Sequence, residues 1–242
     1  MSQATGWVPL LQVDRELAGR LPAGTLAAAR SVALAPTEWL DTGEWQPPDP
    51  AGGERATHLG LLVVDGFLAR RVRVLDRQAT ELFGPGDLLV PWEPDRTEPF
   101  AAGARWEVLE PALVAVLDRR FSGLLTRWPE ITAALVGRAV SRSRAFALSL
   151  AISQLVGIEL RVLVLLWHVA ERWGARESDG ITLPVHLTHE LVASLISAQR
   201  ATVTRALGVL LDDGRLSRRP SGLLAVHGEP PAQFRRLSAD LP

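Results

Sequence analysis

The 242-residue chain contains no cysteine, no lysine, no asparagine and no tyrosine. The absence of cysteine excludes disulfides, thiolate metal sites, iron-sulfur clusters and cysteine nucleophiles. The longest uncharged apolar stretch, residues 145–158, is too short to span a bilayer. The first ten residues, MSQATGWVPL, lack the basic segment and apolar core of a signal peptide. We therefore expect a cytoplasmic protein with no membrane contact.

Charge is unevenly distributed along the chain. Residues 1–118 hold 10 arginines against 17 acidic residues, whereas residues 119–242 hold 16 arginines against 10 acidic residues. A basic C-terminal half suits a polyanionic partner, and an acidic N-terminal half stays away from the same partner. With 47% apolar residues, the chain is long enough for two domains with their own cores.

Residues 188–226 have the pattern of two short helices followed by a β-hairpin, which is the outline of a winged helix. Thr188 can cap the first helix, a break follows at Ser197 and Ala198, and the second helix ends near Gly214. In such a domain an apolar face seats the second helix, while polar side chains near its N-terminus reach base edges in the major groove. The pattern therefore points to double-stranded DNA.

The polar residues of this segment are the candidate DNA contacts. The second helix opens on a polar turn and presents arginine on its exposed face, and two further arginines precede the hairpin turn at Pro220, where they could lie along phosphates. The candidates are Thr188, Gln199, Arg200, Thr202, Arg205, Arg218 and Arg219. Winged helices also mediate protein contacts, so an interaction scaffold that does not bind DNA stays open.

The N-terminal part changes from helical to strand periodicity. Helical patterns cover residues 8–21 and 23–30, divided by Pro22. Strand patterns follow at residues 32–34, 58–64, 67–75, 79–83, 88–90 and 105–117. Asp65-Gly66 predicts a two-residue hairpin turn, since both residues tolerate positive φ. Many short strands with frequent turns indicate a sandwich, barrel or jelly roll, with a long loop over residues 41–55.

From Asp118 onward the pattern is helical. A short helix ends near Trp128, and a long helix that starts at Pro129 would pair with its copy in a homodimer; packing within one subunit is the alternative. Gly157 is a predicted hinge before another apolar helix. These patterns divide the chain into residues 1–128, 129–156 and 157–242.

Neither an enzyme nor a metal site is indicated by the remaining motifs. His186 and His189 are three residues apart, and two ligands do not close a zinc site. A haem sensor would need an axial ligand such as His58, the only histidine in the predicted roll, and no other feature supports haem, so we expect none. Paired carboxylates, an activated nucleophile and a P-loop lysine are missing. A cupin-like metal enzyme with a basic appendage is a further alternative, but it would need a ligand cluster in the roll.

The order of these parts resembles the Crp/Fnr family of bacterial transcription regulators. The resemblance is carried by residues 160–174, 187–210 and 215–226, and less specifically by LLVVDGFLARRV and LFGPGDLL. It implies an α+β fold with an N-terminal β-roll sensor, a long central dimerisation helix and a C-terminal winged helix-turn-helix. The implied function is binding of an inverted-repeat operator as a homodimer, with RNA polymerase as a candidate partner.

The same resemblance assigns roles to the candidate DNA contacts. Arg200 and Arg205 match arginines that bind base edges or adjoining phosphates, and a guanidinium can donate two hydrogen bonds to guanine. Thr188 and Thr202 match positions that touch phosphates, with Gln199 beside them as a reader of adenine. Two residues depart from the family: Ala201 stands where glutamate is frequent, and Ser197 replaces a common turn glycine.

The predicted sensor departs further from the family. The positions that correspond to the ligand-binding region are Gly84, Gly86, Asp87 and Leu88. Pro85 between them lacks an amide donor, and no arginine adjoins small residues at the expected place. Because a cyclic phosphate needs both a cation and convergent amides, we do not expect a cyclic nucleotide. The roll would sense an unidentified signal or bind no ligand.

Overall fold

The computed structural model describes residues 4–47, 58–75, 77–91 and 103–231. The predicted loop over residues 41–55 lies partly outside this range; in its described part the prediction is wrong at Gly43–Trp45, which form a strand. The segment that follows Pro91 lies outside the described ranges up to residue 102. Contacts group the chain into two units, Met1–Leu75 with Leu82–Arg144, and Asp76–Glu81 with Ala145–Pro242.

The first unit is built mainly of strands. Along the chain the elements are β1 (Ala4–Pro9), α1 (Leu10–Val13), α2 (Arg15–Gly19), α3 (Ala23–Val32), β2 (Leu34–Leu40), β3 (Gly43–Trp45), β4 (Gly60–Val74), β5 (Arg77–Phe83), β6 (Leu88–Leu89), β7 (Gly103–Leu117), α4 (Arg119–Leu125) and α5 (Pro129–Gln154). β5 and α5 each contribute residues to both units. The sheet has the order β1-β2-β7-β4-β5, with β3 on β7 and β6 on β4. This confirms the predicted β-rich N-terminal fold.

The prediction of one helix over residues 8–21 is partly wrong. Trp7 to Pro9 pair with β2 as an antiparallel strand, and the helical part divides at Asp14, whose side chain accepts a hydrogen bond from the Leu17 N–H at 3.0 Å. A carboxylate in that position caps a new helix, so α1 and α2 are separate. Pro22 precedes α3 as its N-cap, as its ring geometry favours.

The prediction of a hairpin turn at Asp65-Gly66 is also wrong. Both residues lie inside the continuous strand β4, which pairs with β7 on either side of them and shifts register there. Gly66 has φ +82°, and a Cβ at this position would lie 2.2 Å from the Pro111 carbonyl oxygen. The local turn signal therefore marks a β-bulge, where glycine allows the two backbones to approach closely.

Two apolar clusters form the core of the first unit. One fills the interior of the roll around Trp106, whose ring centroid lies 5.9 Å from that of Trp45 and 5.2 Å from that of Phe83. The other packs the N-terminal helices against β2, β7, α4 and the start of α5, with Phe121 and Ile131 almost completely buried. Both faces of the sheet are thus covered, which favours the packed roll.

α5 confirms the long helix predicted from Pro129. Ile131, Leu135 and Ile152 are buried, whereas Phe146 is 52% exposed. Gly157 follows with φ +93° and caps the next helix. None of the helices within the described ranges is long and apolar enough to cross a membrane.

The second unit contains a helical core and a small sheet. Its further elements are α6 (Ile158–Trp173), β8 (Ala175–Glu177), β9 (Gly180–Thr182), α7 (His189–Leu195), α8 (Arg200–Asp212), β10 (Leu216–Arg218) and β11 (Leu224–Val226). The sheet has the order β10-β11-β9-β8. The sequence did not predict β8 and β9, because three-residue strands are too short to establish a period of two.

Candidate nucleic-acid interface

α7 and α8 form a helix-turn-helix. The Thr188 Oγ1 accepts a hydrogen bond from the Leu191 N–H at 3.1 Å, which fixes the start of α7 as predicted. Ser197, in the turn after α7, has φ +52°, and the Ala198 N–H donates to the Ala193 carbonyl at 2.9 Å. This left-handed residue redirects the chain so that α8 can begin at Arg200.

α8 has two chemically distinct faces. Val203, Ala206, Leu207 and Leu210 are buried and seat the helix on its domain. The exposed residues of α8 include Arg200, Ala201, Thr204, Arg205 and Val209. Arg200 and Arg205 therefore lie on the outward side, whereas Thr202 is half-buried. The interior and exterior of α8 divide as a groove-binding helix requires.

The arginines on this surface carry uncompensated charge. Within the described ranges, Arg200, Arg205 and Arg218 are exposed and form no hydrogen bond or ion pair through their side chains. Gln199, at the N-cap of α8, is also exposed and makes no side-chain capping bond. Five N–H donors per guanidinium thus remain available to an external acceptor.

Sequence reasoning missed a contact between the two helices. His189 Nδ1 lies 2.8 Å from Thr204 Oγ1, and Thr204 Oγ1 donates to the Arg200 carbonyl at 3.0 Å. Because a hydroxyl has one hydrogen, Thr204 must accept from His189, which places the proton on Nδ1. This pair steadies the first turn of α8 against α7. The only available signal was that Thr204 follows Arg200 by one helical turn.

The wing follows the predicted pattern. β10 and β11 pair antiparallel, with Leu216 opposite Val226 and Arg218 opposite Leu224. The turn is closed by the Gly222 N–H, which donates to the Arg219 carbonyl at 2.8 Å. Gly222 has φ +86°, a conformation that glycine adopts without steric cost. Arg218 is therefore exposed at the end of β10, next to the turn.

Arg219 has a different environment from the one that the sequence indicated. Its guanidinium donates two hydrogen bonds of 2.8 Å to Asp179, lies 3.1 Å from Glu177 and donates to the Thr182 Oγ1 at 3.0 Å. The hydrogen bonds from Arg219 lower the pKa of Asp179 to about 2. Arg219 thus ties the wing to β8 and β9, with its donors directed to protein acceptors. The partners lie about 40 positions earlier, which no local pattern reveals.

The positions predicted to bind a ligand form a tight turn in the first unit. The Gly84 N–H donates to the buried Asp87 carboxylate at 3.0 Å, and the Gly86 N–H donates to the Val63 carbonyl at 2.9 Å. Arg142 lies 3.7 Å from the same carboxylate. Asp87 is therefore a turn acceptor, and Leu88 packs against the apolar core. Of the four predicted ligand residues, Gly86 lines a cavity.

Acidic and histidine side chains are not gathered into a metal site. In the described ranges, no group of three or more histidine, aspartate or glutamate side chains is placed to hold a metal ion. His186 Nε2 lies 3.3 Å from the Ser221 carbonyl oxygen, and His189 contacts Thr204. Each of these two histidines therefore has a partner of its own in the winged domain.

Comparison with known proteins identifies the C-terminal domain. A family model described as the Crp-like helix-turn-helix domain matches residues 160–227. The regulatory protein CysR of Synechococcus elongatus is 35% identical over 96 residues, covering 37% of this chain and 45% of that protein. The matching segment thus spans less than half of the relative's length.

Solved structures share the fold along most of the chain. A CooA mutant from Carboxydothermus hydrogenoformans is 15% identical, with a TM-score of 0.61 and 98% of both chains covered. FixK2 from Bradyrhizobium japonicum is 16% identical, with a TM-score of 0.58, and the match covers 86% of this chain and 98% of that one. A CRP-family regulator from Thermus thermophilus is 22% identical, with a TM-score of 0.56, 84% of this chain and 98% of that one being covered. The chain therefore carries a Crp-like helix-turn-helix domain and has the fold of the CRP/FNR family regulators.

Proposed function

We propose that this protein is a transcription regulator of the Crp/Fnr type that binds an inverted-repeat operator as a homodimer. The observation that carries the proposal is the exposed pair Arg200 and Arg205, unpartnered within the described ranges, on the outer face of α8. This helix belongs to the domain that matches the Crp-like helix-turn-helix. A cationic, donor-rich helix face with a buried apolar back fits the major groove of DNA.

Individual residues of this surface suit different parts of a DNA site. Arg200 and Arg205 can donate in pairs to guanine O6 and N7, and Gln199 can pair with adenine. Thr188, Thr202 and Arg218 suit phosphates, which fix the register without reading sequence. Ala201 offers no carboxylate to a cytosine amino group, so the half-site differs from that of regulators with glutamate at this position.

α5 supports the homodimer. Val136, Val140 and Leu150 are 58%, 46% and 54% exposed, although large aliphatic side chains usually avoid water. Together with Ser143, Ala147 and Gln154 they recur at spacings of four and three residues, the repeat of a coiled-coil seam. Pairing with a second copy of α5 would cover this stripe. It would also present two copies of α8 to successive half-sites.

The roll is the proposed sensor of an unidentified signal, or has no ligand. Trp45, Phe83 and Trp106 occupy its interior, and these packed aromatic rings support our expectation that no cyclic nucleotide binds inside it. An effector can act only if it binds two arrangements of the protein with different affinity. RNA polymerase is a candidate partner of the DNA-bound form.

The test of the function is selection of bound sequences from a random duplex library at moderate salt, with purified full-length protein and no added ligand. We expect a palindrome whose half-sites are about ten base pairs apart. The double variant Arg200→Ala, Arg205→Ala should enrich no palindrome. If the wild-type protein enriches nothing, the selection is repeated with cyclic nucleotides and with cell extract. Failure in all three selections would favour the interaction scaffold.

A further inference from the structure

A cavity of about 300 Å³ opens on the first unit, lined by the N-terminal helices, β4, the turn before β6 and α5. Its wall includes Val13 and Arg15 from the N-terminal helices, Val64 from β4, the turn residue Pro85, and Arg138 from α5. Gly86 also lines it, and a Cβ built on Gly86 would meet no atom within 4 Å. The volume lies at the small end of the range for metabolite sites.

The acidic groups of this wall are already engaged. Arg138 donates to both oxygens of Asp14, at 2.5 and 2.7 Å, and to Glu16 at 3.3 Å. Asp14 also accepts from the Leu17 N–H. Since three donors converge on Asp14, it has little capacity left for a ligand cation. Glu16 has a second neighbour, Arg20, at 3.7 Å.

The cationic groups, in contrast, have donors to spare. Arg138 uses none of its Nε–H capacity within the described ranges, because its bonds run through Nη1 and Nη2. Arg15 is exposed and makes no hydrogen bond or ion pair with any described residue. Two guanidinium groups with unused donors therefore line a cavity whose wall otherwise consists of the two engaged carboxylates and of apolar residues.

We propose that this cavity binds a small carboxylate with an apolar body. The carboxylate would accept charge-assisted hydrogen bonds from Arg15 and from the Arg138 Nε–H. The apolar body would cover Val13, which is 46% exposed, together with Val64 and Pro85. The binding step is independent of the function proposed above, whereas use of the cavity as an effector site rests on it.

The position of Arg138 connects this site to the proposed dimer seam on α5. Arg138 lies on α5 between Val136 and Val140, the exposed apolar residues of the proposed seam. A ligand that accepts a hydrogen bond from the Arg138 Nε–H acts on the same two turns of helix. A carboxylate that binds here could thus favour one arrangement of the paired helices over another.

The test is calorimetric titration of the full-length protein, without DNA, with 4-methylpentanoate, benzoate and phenylacetate. We expect at least one of them to bind saturably at one site per chain with a Kd below about 1 mM. The corresponding neutral amide should bind at least about tenfold more weakly, since it lacks the charge that a guanidinium recognises. Absence of saturable binding by all three acids, or equal affinity for acid and amide, overturns the proposal.

Two variants locate the site. Arg15→Gln should weaken binding about tenfold by removing one charged hydrogen-bond donor, and Arg20→Gln, on the same exposed segment but outside the cavity, should not. Gly86→Asn, which keeps a residue tolerant of positive φ but places a side chain in the cavity, should block binding, whereas Gly228→Asn is the matched control. Full affinity in both cavity variants rules the site out. Retained operator binding in that case leaves the proposed function intact.

Discussion

Arg138 and Asp14 form a buried bidentate ion pair across 124 positions of the sequence, with hydrogen bonds of 2.5 and 2.7 Å. Their side chains are only 9% and 11% exposed. The pair joins the N-cap of α2 to the third turn of α5, so the N-terminal segment is attached to α5 within the first unit. A buried charge that loses its partner is costly, because nothing replaces the lost hydration.

Arg138→Met should therefore lower the free energy of unfolding by about 3 kcal/mol, since it leaves Asp14 buried without its counter-charge. Urea unfolding, with an unchanged m-value, measures this loss. Arg144→Met is the matched control, because Arg144 is exposed on the same helix and has no partner among the described residues; its effect should stay within about 0.5 kcal/mol. Equal effects of the two substitutions would contradict the role of the pair.

Ser197→Gly should stabilise the protein by up to about 1 kcal/mol, because Ser197 has φ +52° and only glycine adopts this region without a Cβ penalty. Ala198→Gly, at a neighbouring residue without positive φ, should destabilise through the greater entropy of the unfolded chain. Opposite signs in thermal or urea unfolding support the turn geometry. A loss of stability in Ser197→Gly would show that the serine contributes more than its strain costs.

The winged domain could be predicted from sequence because its signals are local. The cap at Thr188, the break at Ser197 and the turn ending at Gly222 each depend on residues within one turn of one another, and the structure confirms all three. Exposure of Arg200 and Arg205 follows from helical period once the buried face is assigned.

Long-range pairing explains what the sequence did not reveal. Asp65-Gly66 has the composition of a hairpin turn, yet β7 pairs with the strand before and after it and makes it a bulge. Arg219 has the same sequence signal as Arg218, but Asp179 and Glu177 come to its guanidinium from a hairpin earlier in the chain. Local propensity is overridden in both cases by a partner that is distant in sequence.

Arg205 and Arg218 should affect DNA binding in different ways. Arg205→Ala should cost about 1 to 3 kcal/mol on the selected operator and less on random DNA, because a base contact is lost. Arg218→Ala should weaken binding to all sequences about equally and reduce the salt slope by about one, as expected for a phosphate contact. Fluorescence anisotropy over a salt series measures both. If Arg205→Ala weakens operator and random DNA equally, Arg205 does not read bases.

The stability that the wing contributes should depend on pH through Asp179. Hydrogen bonds from Arg219 hold the pKa of Asp179 at about 2, below its ordinary value of 3.8, so the folded protein favours the carboxylate. The resulting stabilisation is present above about pH 4 and is lost as the pH falls from about 4 to 2. Asp179→Asn should therefore destabilise at about pH 6, and the difference from wild type should shrink at about pH 3. Urea unfolding at the two pH values measures the difference; an equal difference at both would remove Asp179 from the linkage.

The exposed stripe on α5 predicts a stable dimer that one charge can disrupt. Leu150 is 54% exposed, and Leu150→Glu would bring two carboxylates together in an apolar seam, where burial of unpaired like charge is strongly unfavourable. We expect sedimentation equilibrium to show a dimer for the wild type and a monomer for this variant. Ser141→Glu, also exposed on α5 but outside the three-and-four repeat, should remain dimeric. Because a monomer presents only one copy of α8, Leu150→Glu should also bind a single half-site with the same affinity as the full palindrome. Dimers of unchanged affinity in Leu150→Glu would place the subunit interface elsewhere.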